Sequence, residues 1–194
     1  EENSMFDLFE EQFRTLYVGH ELIDEKDATI LNILREKREK GLSECAFRSS
    51  QTRGRRYEEE PCAIRTCYQR DIGRIIFSQS FRRLRNKTQV FFNPTNDHIC
   101  SRIEHVIYVN YISSIIAGAL NLNTDLVQAI AMGHDVGHAP FGHSGERILS
   151  KCMKSVDENL FFEHEQQSLR VLDVLEEHTA GRFGLNLSFE VRDG

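Results

Sequence analysis

The ten residues from His134 to His143, HDVGHAPFGH, carry three histidines and an aspartate. Imidazole and carboxylate together suit a divalent metal ion. Imidazole is also the side chain that changes protonation near neutral pH. The ten residues therefore point to metal binding, to proton transfer, or to both. Neighbouring residues on a helix point about 100° apart, so His134 and Asp135 can reach one ion only where a helix ends. Gly133 and Gly137 bracket the pair and allow a bend there. An aspartate at a buried helix C-terminus also meets the negative end of the macrodipole, a conflict that a cation would resolve. The bland alternative is a capped core helix. His143 and Glu146 are three residues apart and can share a helix face. A carboxylate orienting an imidazole serves general acid–base work, although His-x-x-Glu is common on solvated helices.

Two upstream stretches could serve the same chemistry. His105 is spaced at i+4, i+7 and i+11 from Val109, Ile112 and Ile116, which predicts that it points inward. Arg102 lies one turn earlier on that face, and burying a guanidinium without an anion is costly. The segment from Arg65 to Arg102 holds eight basic residues and two acidic ones, a net +6 in a chain whose formal charge is −6. A basic patch in an acidic protein suits a small, dense anion better than a long polyanion. Arg82, Arg83, Arg85 and Lys87 lead into KTQV, where Gln89 is a candidate neutral hydrogen-bonding group. A charge run of this kind is usually a solvated face, so not all of these can be ligands.

The elements that must position these groups read as helices. Apolar residues recur at helical spacing over 5–17 and again at 30–34, the second segment ending before Gly41. Residues 43–61 lack periodicity and are expected to be an exposed connector. The pattern resumes in RDIGRIIFSQSFRRLR (70–85), and after a turn at 93–97 a long helix is expected to about Leu120. A buried central helix follows, with Thr124 predicted as its N-cap and Asp125 in its first turn. Residues 144–153 and 159–178 are the last helical candidates. The fold class is thus all-α: a helical bundle with an N-terminal helical appendage over 1–42, a connector over 43–64 and a main domain over 65–194. Five cysteines without a C-x-x-C pair indicate neither a disulfide framework nor a zinc knuckle, and reduced thiols point to a cytoplasmic protein. No apolar run approaches about 18 residues, so no membrane association is expected.

Taken in order, FRRLRNKTQVF, RIEH and GHDVGHAPFGHSGE, with RSSQTRGRRY, FFEHEQQSLRVLD and GLNLSFEVRDG, resemble the HD-domain deoxynucleoside triphosphate triphosphohydrolases from about residue 48 onward. The resemblance implies an all-helical HD domain and a divalent metal ion, magnesium, manganese or another transition metal, on an H…HD…D ligand set. His105, His134 and Asp135 match the first three ligands. His143 and Glu146 match the family's catalytic groups near the triphosphate. Arg102 matches a phosphate contact, Gln89 lies where the family meets the deoxyribose, and His138 is expected beside the substrate. The implied reaction converts a deoxynucleoside triphosphate, dGTP-like, to deoxynucleoside and tripolyphosphate. Members tend to form homo-oligomers, and a nucleic-acid partner is not indicated.

Three departures bear on these expectations. Glu104 stands where the family has a small hydroxyl residue before the first ligand, and one step off the inward face it is expected to point elsewhere. Ile72, Gly73 and Phe77 replace polar residues of the family pattern. The distal ligand Asp lies beyond EVRDG in the family, so the chain is expected to stop short of it, to leave apolar surface uncovered over residues 99–135, and to be weakly active or inactive alone. Asp157, Asp173 and Asp193 lie outside the matching motif. The alternatives are an HD-type phosphodiesterase or pyrophosphohydrolase, which would not release intact tripolyphosphate, and a non-catalytic nucleotide-sensing or strand-binding module, for which Phe91 and Phe92 are thin support.

Overall fold

The computed structural model describes residues 25–62, 64–87, 100–179 and 182–194. The helix expected over residues 5–17, the turn at 93–97, Gln89, Phe91 and Phe92 lie outside the described residues. In chain order the elements are α1 (Glu25–Lys40), α2 (Cys67–Phe77), α3 (Gln79–Arg83), α4 (Arg102–Ala119), α5 (Thr124–Gly133), α6 (Gly142–Val156), α7 (His164–Arg170) and α8 (Phe189–Asp193). The architecture is all-α. Among the described residues it carries a small antiparallel ribbon, β1 (Glu177–Thr179) with β2 (Arg182–Phe183), placed where the periodicity predicts helix to residue 178. There α7 widens into a π-helical turn over Val171–Leu175 and ends.

The central element is α5, packed between α2 and α4. None of its residues is exposed, and Ala129, Ala131 and Gly133 let the neighbours come close. Its N-cap is Asn123 rather than Thr124. The Asn123 side-chain oxygen accepts from the backbone N–H of Asp125 and Leu126, which leaves Thr124 as the first helical residue. Tyr68, Ile75, Leu84, Val106, Val136 and Leu187 fill the core around it. The predicted helix over 70–85 is broken at Ser78. This hydroxyl donates to the Ile75 carbonyl and accepts from the Phe81 N–H, closing α2 and opening α3. Glu176 reaches back from beyond the π-turn to accept from Gln79 and Ser80 at the start of α3.

Helix α4 corrects one periodicity argument. Its buried side is Arg102, Val106 and Ala117, whereas Ile112 and Ile116 are 54% and 53% exposed. The large apolar residues Ile107, Tyr111, Ile115 and Leu120 are exposed as well, so uncovered apolar surface over this stretch is present. Small and polar residues, Ala117 with the half-buried Ser113 and Ser114, are covered instead. His105 borders that side and is half-buried. Glu104 accepts from the Ser101 N–H and hydroxyl, so the departure noted before His105 is a capping group for α4. In α1, Ile30, Ile33 and Leu34 are exposed, so its apolar face is not buried among the described residues.

The connector is not a free loop. Arg55 is buried and donates to Asp71 (2.5 Å) and to the carbonyls of Asn186 and Cys67. Asp71 is fully buried and also accepts from the Ser188 N–H (2.9 Å) and hydroxyl (2.6 Å). Beside it, Glu59 accepts from Asn186 (2.6 Å), Arg70 (2.7 Å) and Arg74. The two carboxylates tie the connector, α2 and the start of α8 together. Glu59 also occupies two arginines of the basic segment, Arg70 and Arg74.

Asp71→Ala leaves the buried Arg55 charge without its carboxylate and should cost about 3 to 5 kcal/mol, measured by urea unfolding. The Glu59 clasp carries a pH signature. Burial pushes the Glu59 carboxyl up, but hydrogen bonds from Asn186 and Arg74 and the charges of Arg74 and Arg70 outweigh it and hold it below 4.5. A folded-state pKa below the unfolded one stabilises fully above pH 4.5, and that contribution is lost as pH falls through the depressed value. Glu59→Gln should therefore cost about 1 to 3 kcal/mol at pH 7 and progressively less below pH 4.5, by denaturation at matched pH.

Candidate active site

The site grows from the end of α5. The helix stops at Gly133, and His134 caps it in helical backbone conformation. The His134 Nδ1 hydrogen-bonds its own helix at the Ala131 carbonyl (2.7 Å), which leaves Nε2 for another partner. That Nε2 lies 3.9 Å from the Asp135 carboxylate. His105 on α4 faces the pair, its ring centroid 5.7 Å from that of His134. One ligand atom from each of His105, His134 and Asp135 lies within 4.8 Å of the others. Burial holds the His105 imidazole below its usual pKa against the opposing charge of Asp135, and neutral imidazole is the form a metal binds. Two imidazoles and one carboxylate with a fixed tautomer fit a divalent ion with positions left open.

Arg102 is buried, and its guanidinium donates to Asp135 (3.1 Å). The inward arginine that the sequence places beside an anion thus has a protein carboxylate as its partner. Its Nε is buried without a partner, so the guanidinium is only partly satisfied. Lys87 donates to the carbonyls of Val136 (3.0 Å) and His138 (2.9 Å), strapping the corner after Asp135 to the end of the basic run. Burial lowers its pKa, partly offset by Asp135. Arg83 and Arg85 remain exposed. The basic segment is divided among a clasp, a strap and a solvated face.

Gly137 does not serve as a bend. A Cβ there would lie 2.2 Å from the Ser168 backbone nitrogen, so its absence lets α7 press against the corner. Ser168 then accepts from the Gly137 N–H (2.9 Å) and hydrogen-bonds the His134 carbonyl (2.8 Å). At the next turn Phe141 adopts left-handed backbone (φ 63°), and Gly145 leaves room for the Pro140 carbonyl.

This packing gathers a second set of imidazoles. His138 is 3% exposed. Its Nδ1 faces the Ala139 carbonyl, and its Nε2 is buried without a partner. Burial, reinforced by the charge of Arg102, holds its pKa below the usual value. The pair predicted between His143 and Glu146 is formed, Nδ1 to carboxylate, at 3.0 Å. The other oxygen of Glu146 accepts from His164 Nδ1 (2.9 Å) and from the His164 N–H (3.0 Å). Burial raises the Glu146 carboxyl, but the hydrogen bonds from His164 and His143 prevail and hold it at about 2. His164 was not among the residues singled out by sequence. The signal for it is FFEHEQQS, a histidine at the start of a helix in a chain whose other imidazoles cluster.

An HD-domain model matches residues 102–181, which enclose both clusters. The chain is similar to deoxyguanosinetriphosphate triphosphohydrolase-like proteins. It is 50% identical to the one from Caldanaerobacter subterraneus subsp. tengcongensis over 165 residues, which is 85% of this chain and 46% of the relative. It is 54% identical to the one from Thiobacillus denitrificans over 149 residues, covering 77% and 39% respectively. For Rickettsia bellii the figures are 47% over 143 residues, 74% and 37%. The chain thus spans less than half the length of these relatives. No helix among the described residues is long and apolar enough to cross a membrane.

Among the candidate ligands, the His134 side chain is 31% exposed, against 2% for Asp135, so its removal should disturb the packing little. Manganese at several hundred times its Kd should raise the stability of the chain by about 3 to 4 kcal/mol. His134→Ala should remove that gain and the bound metal while the metal-free stability changes little, as read by thermal shift with elemental analysis.

Proposed function

We propose that this chain carries the catalytic core of a metal-dependent deoxynucleoside triphosphate triphosphohydrolase of cytoplasmic location. What supports the reading is one arrangement: a single carboxylate, Glu146, holding two imidazoles next to an H…HD trio. The names of the similar proteins point to dGTP or a related deoxynucleoside triphosphate as substrate. A homo-oligomer, with the main domain over 65–194 and the N-terminal appendage over 1–42, completes the proposal.

In this reading water attacks the α-phosphorus, the bond from that phosphorus to the 5′ oxygen breaks, and tripolyphosphate leaves. The 5′ oxygen takes up a proton and departs as the deoxynucleoside. His105, His134 and Asp135 would hold the divalent ion, which supplies Lewis acidity at a phosphoryl oxygen. Arg102 sits where its charge can serve both Asp135 and a phosphate. His138 offers the triphosphate its unpartnered Nε2. His143 and His164, oriented through Nδ1 by Glu146, handle the proton at the leaving oxygen. Gln89 is proposed beside the deoxyribose.

With dGTP and manganese, the products should be deoxyguanosine and tripolyphosphate in equal amounts. Deoxyguanosine monophosphate with pyrophosphate would instead identify a pyrophosphohydrolase. His143→Ala should lower kcat by about 10²- to 10⁴-fold with manganese still bound. Unchanged turnover in metal-replete His143→Ala protein would contradict the role given to this imidazole.

A further inference from the structure

The three imidazoles of the corner have a geometry that proton transfer alone does not require. One ring nitrogen from each of His138, His143 and His164 lies within 4.8 Å of the other two. The ring centroids are 4.8 Å (His138–His164), 5.2 Å (His138–His143) and 5.7 Å (His143–His164) apart. Each Nδ1 is already engaged, on the Ala139 carbonyl for His138 and on the two oxygens of Glu146 for the others. Glu165 also stands 3.3 Å from the His164 Nδ1. This is the outer-shell pattern of histidine-ligated metals, in which the ring nitrogen away from the metal donates to a carboxylate or carbonyl. The independent observation is His138. Its ring is 97% buried, yet its Nε2 has no hydrogen-bond partner.

We propose that His138, His143 and His164 form a second metal site, selective for zinc, that shares no ligand with the His105–His134–Asp135 trio. Three neutral nitrogens with one open position suit zinc and give an oxygen-seeking ion such as magnesium little to bind. Zinc–nitrogen bonds of about 2.0 to 2.1 Å require the rings to draw together by about an ångström. His143 can supply that movement, since its side chain is 69% exposed. A consequence rests on the function proposed above. Zinc held here ties up all three imidazoles given to the phosphate chemistry, so it should inhibit hydrolysis that manganese supports.

The test measures zinc alone, without nucleotide, and so stands apart from any result on hydrolysis. The chain carrying His134→Ala lacks the first site and should bind one zinc per chain in equilibrium dialysis with elemental analysis. Adding His143→Ala, an exposed position that leaves the core intact, should abolish that zinc. Adding Glu146→Gln instead should weaken it by about 10- to 100-fold, as expected for an outer-shell group. Cobalt in place of zinc should give the intense visible absorption of a tetrahedral site in the His134→Ala chain and lose it on adding His143→Ala. No zinc in the His134→Ala chain, or zinc retained unchanged after adding His143→Ala, would overturn the proposal.

Discussion

The buried ion pair between Arg102 and Asp135 is the constraint around which the site is arranged. Both residues are almost wholly out of water, and neither charge could stay there alone. Arg102 opens α4 and Asp135 follows the end of α5, so the pair fixes where one helix begins against where the other stops. His105 lies one turn beyond Arg102, and His134 immediately precedes Asp135. Once the ion pair is made, the two imidazoles have little freedom but to face each other. The same contact sets a competition, because a cation at Asp135 draws on the charge that Arg102 now neutralises. In the function proposed above, a cation held there would leave the Arg102 guanidinium able to meet a phosphate instead of the carboxylate.

Close backbone approach supplies the second constraint. The corner after Asp135 is held from one side by Lys87 on two of its carbonyls and from the other by Ser168 against Gly137. Gly137→Ala would drive a methyl group into the α7 backbone. That contact carries His164, at the N-terminal end of α7, to the imidazoles of the corner. The two clusters are consequently not independent in structure, although they share no residue. Both hang on the five residues from His134 to His138, and each has its far imidazole delivered by a different helix.

Much of this was legible in the sequence, and the failures have physical causes. The end of α5 at His134 could be read because a histidine and an aspartate at successive positions can act together only where a helix stops. The His143–Glu146 pair could be read because i,i+3 contact is local. His164 could not, since it reaches Glu146 only through the Gly137–Ser168 approach, a long-range contact without a periodic signal. The buried side of α4 was misassigned because hydrophobic periodicity presumes that bulky apolar residues face the core. Here Ala117 is buried and Ser113 and Ser114 are half-buried, while Ile112 and Ile116 are exposed. The basic segment showed its charge but not its division of labour, as Glu59 lies outside it and is recruited by the fold. Ser78 broke a continuous helical pattern through a hydroxyl that serves two helix ends at once.

The electrostatics of Glu146 decide which groups can do chemistry. With its carboxyl held at about 2, it is ionised at neutral pH and can only accept hydrogen bonds. It therefore cannot deliver a proton to a leaving oxygen. What it can do is require hydrogen on Nδ1 of both His143 and His164, since an ionised carboxylate 2.9 to 3.0 Å away tolerates nothing else. A neutral imidazole with hydrogen on Nδ1 presents a lone pair at Nε2. Both rings are thus set as bases or as metal ligands at the nitrogen that faces away from Glu146. His138 reaches the same state differently, with the Ala139 carbonyl at Nδ1 and a buried, unpartnered Nε2. One carboxylate and one carbonyl engage the Nδ1 of all three imidazoles, so that in either proposal above, a phosphate or a metal ion would be met by their Nε2 atoms.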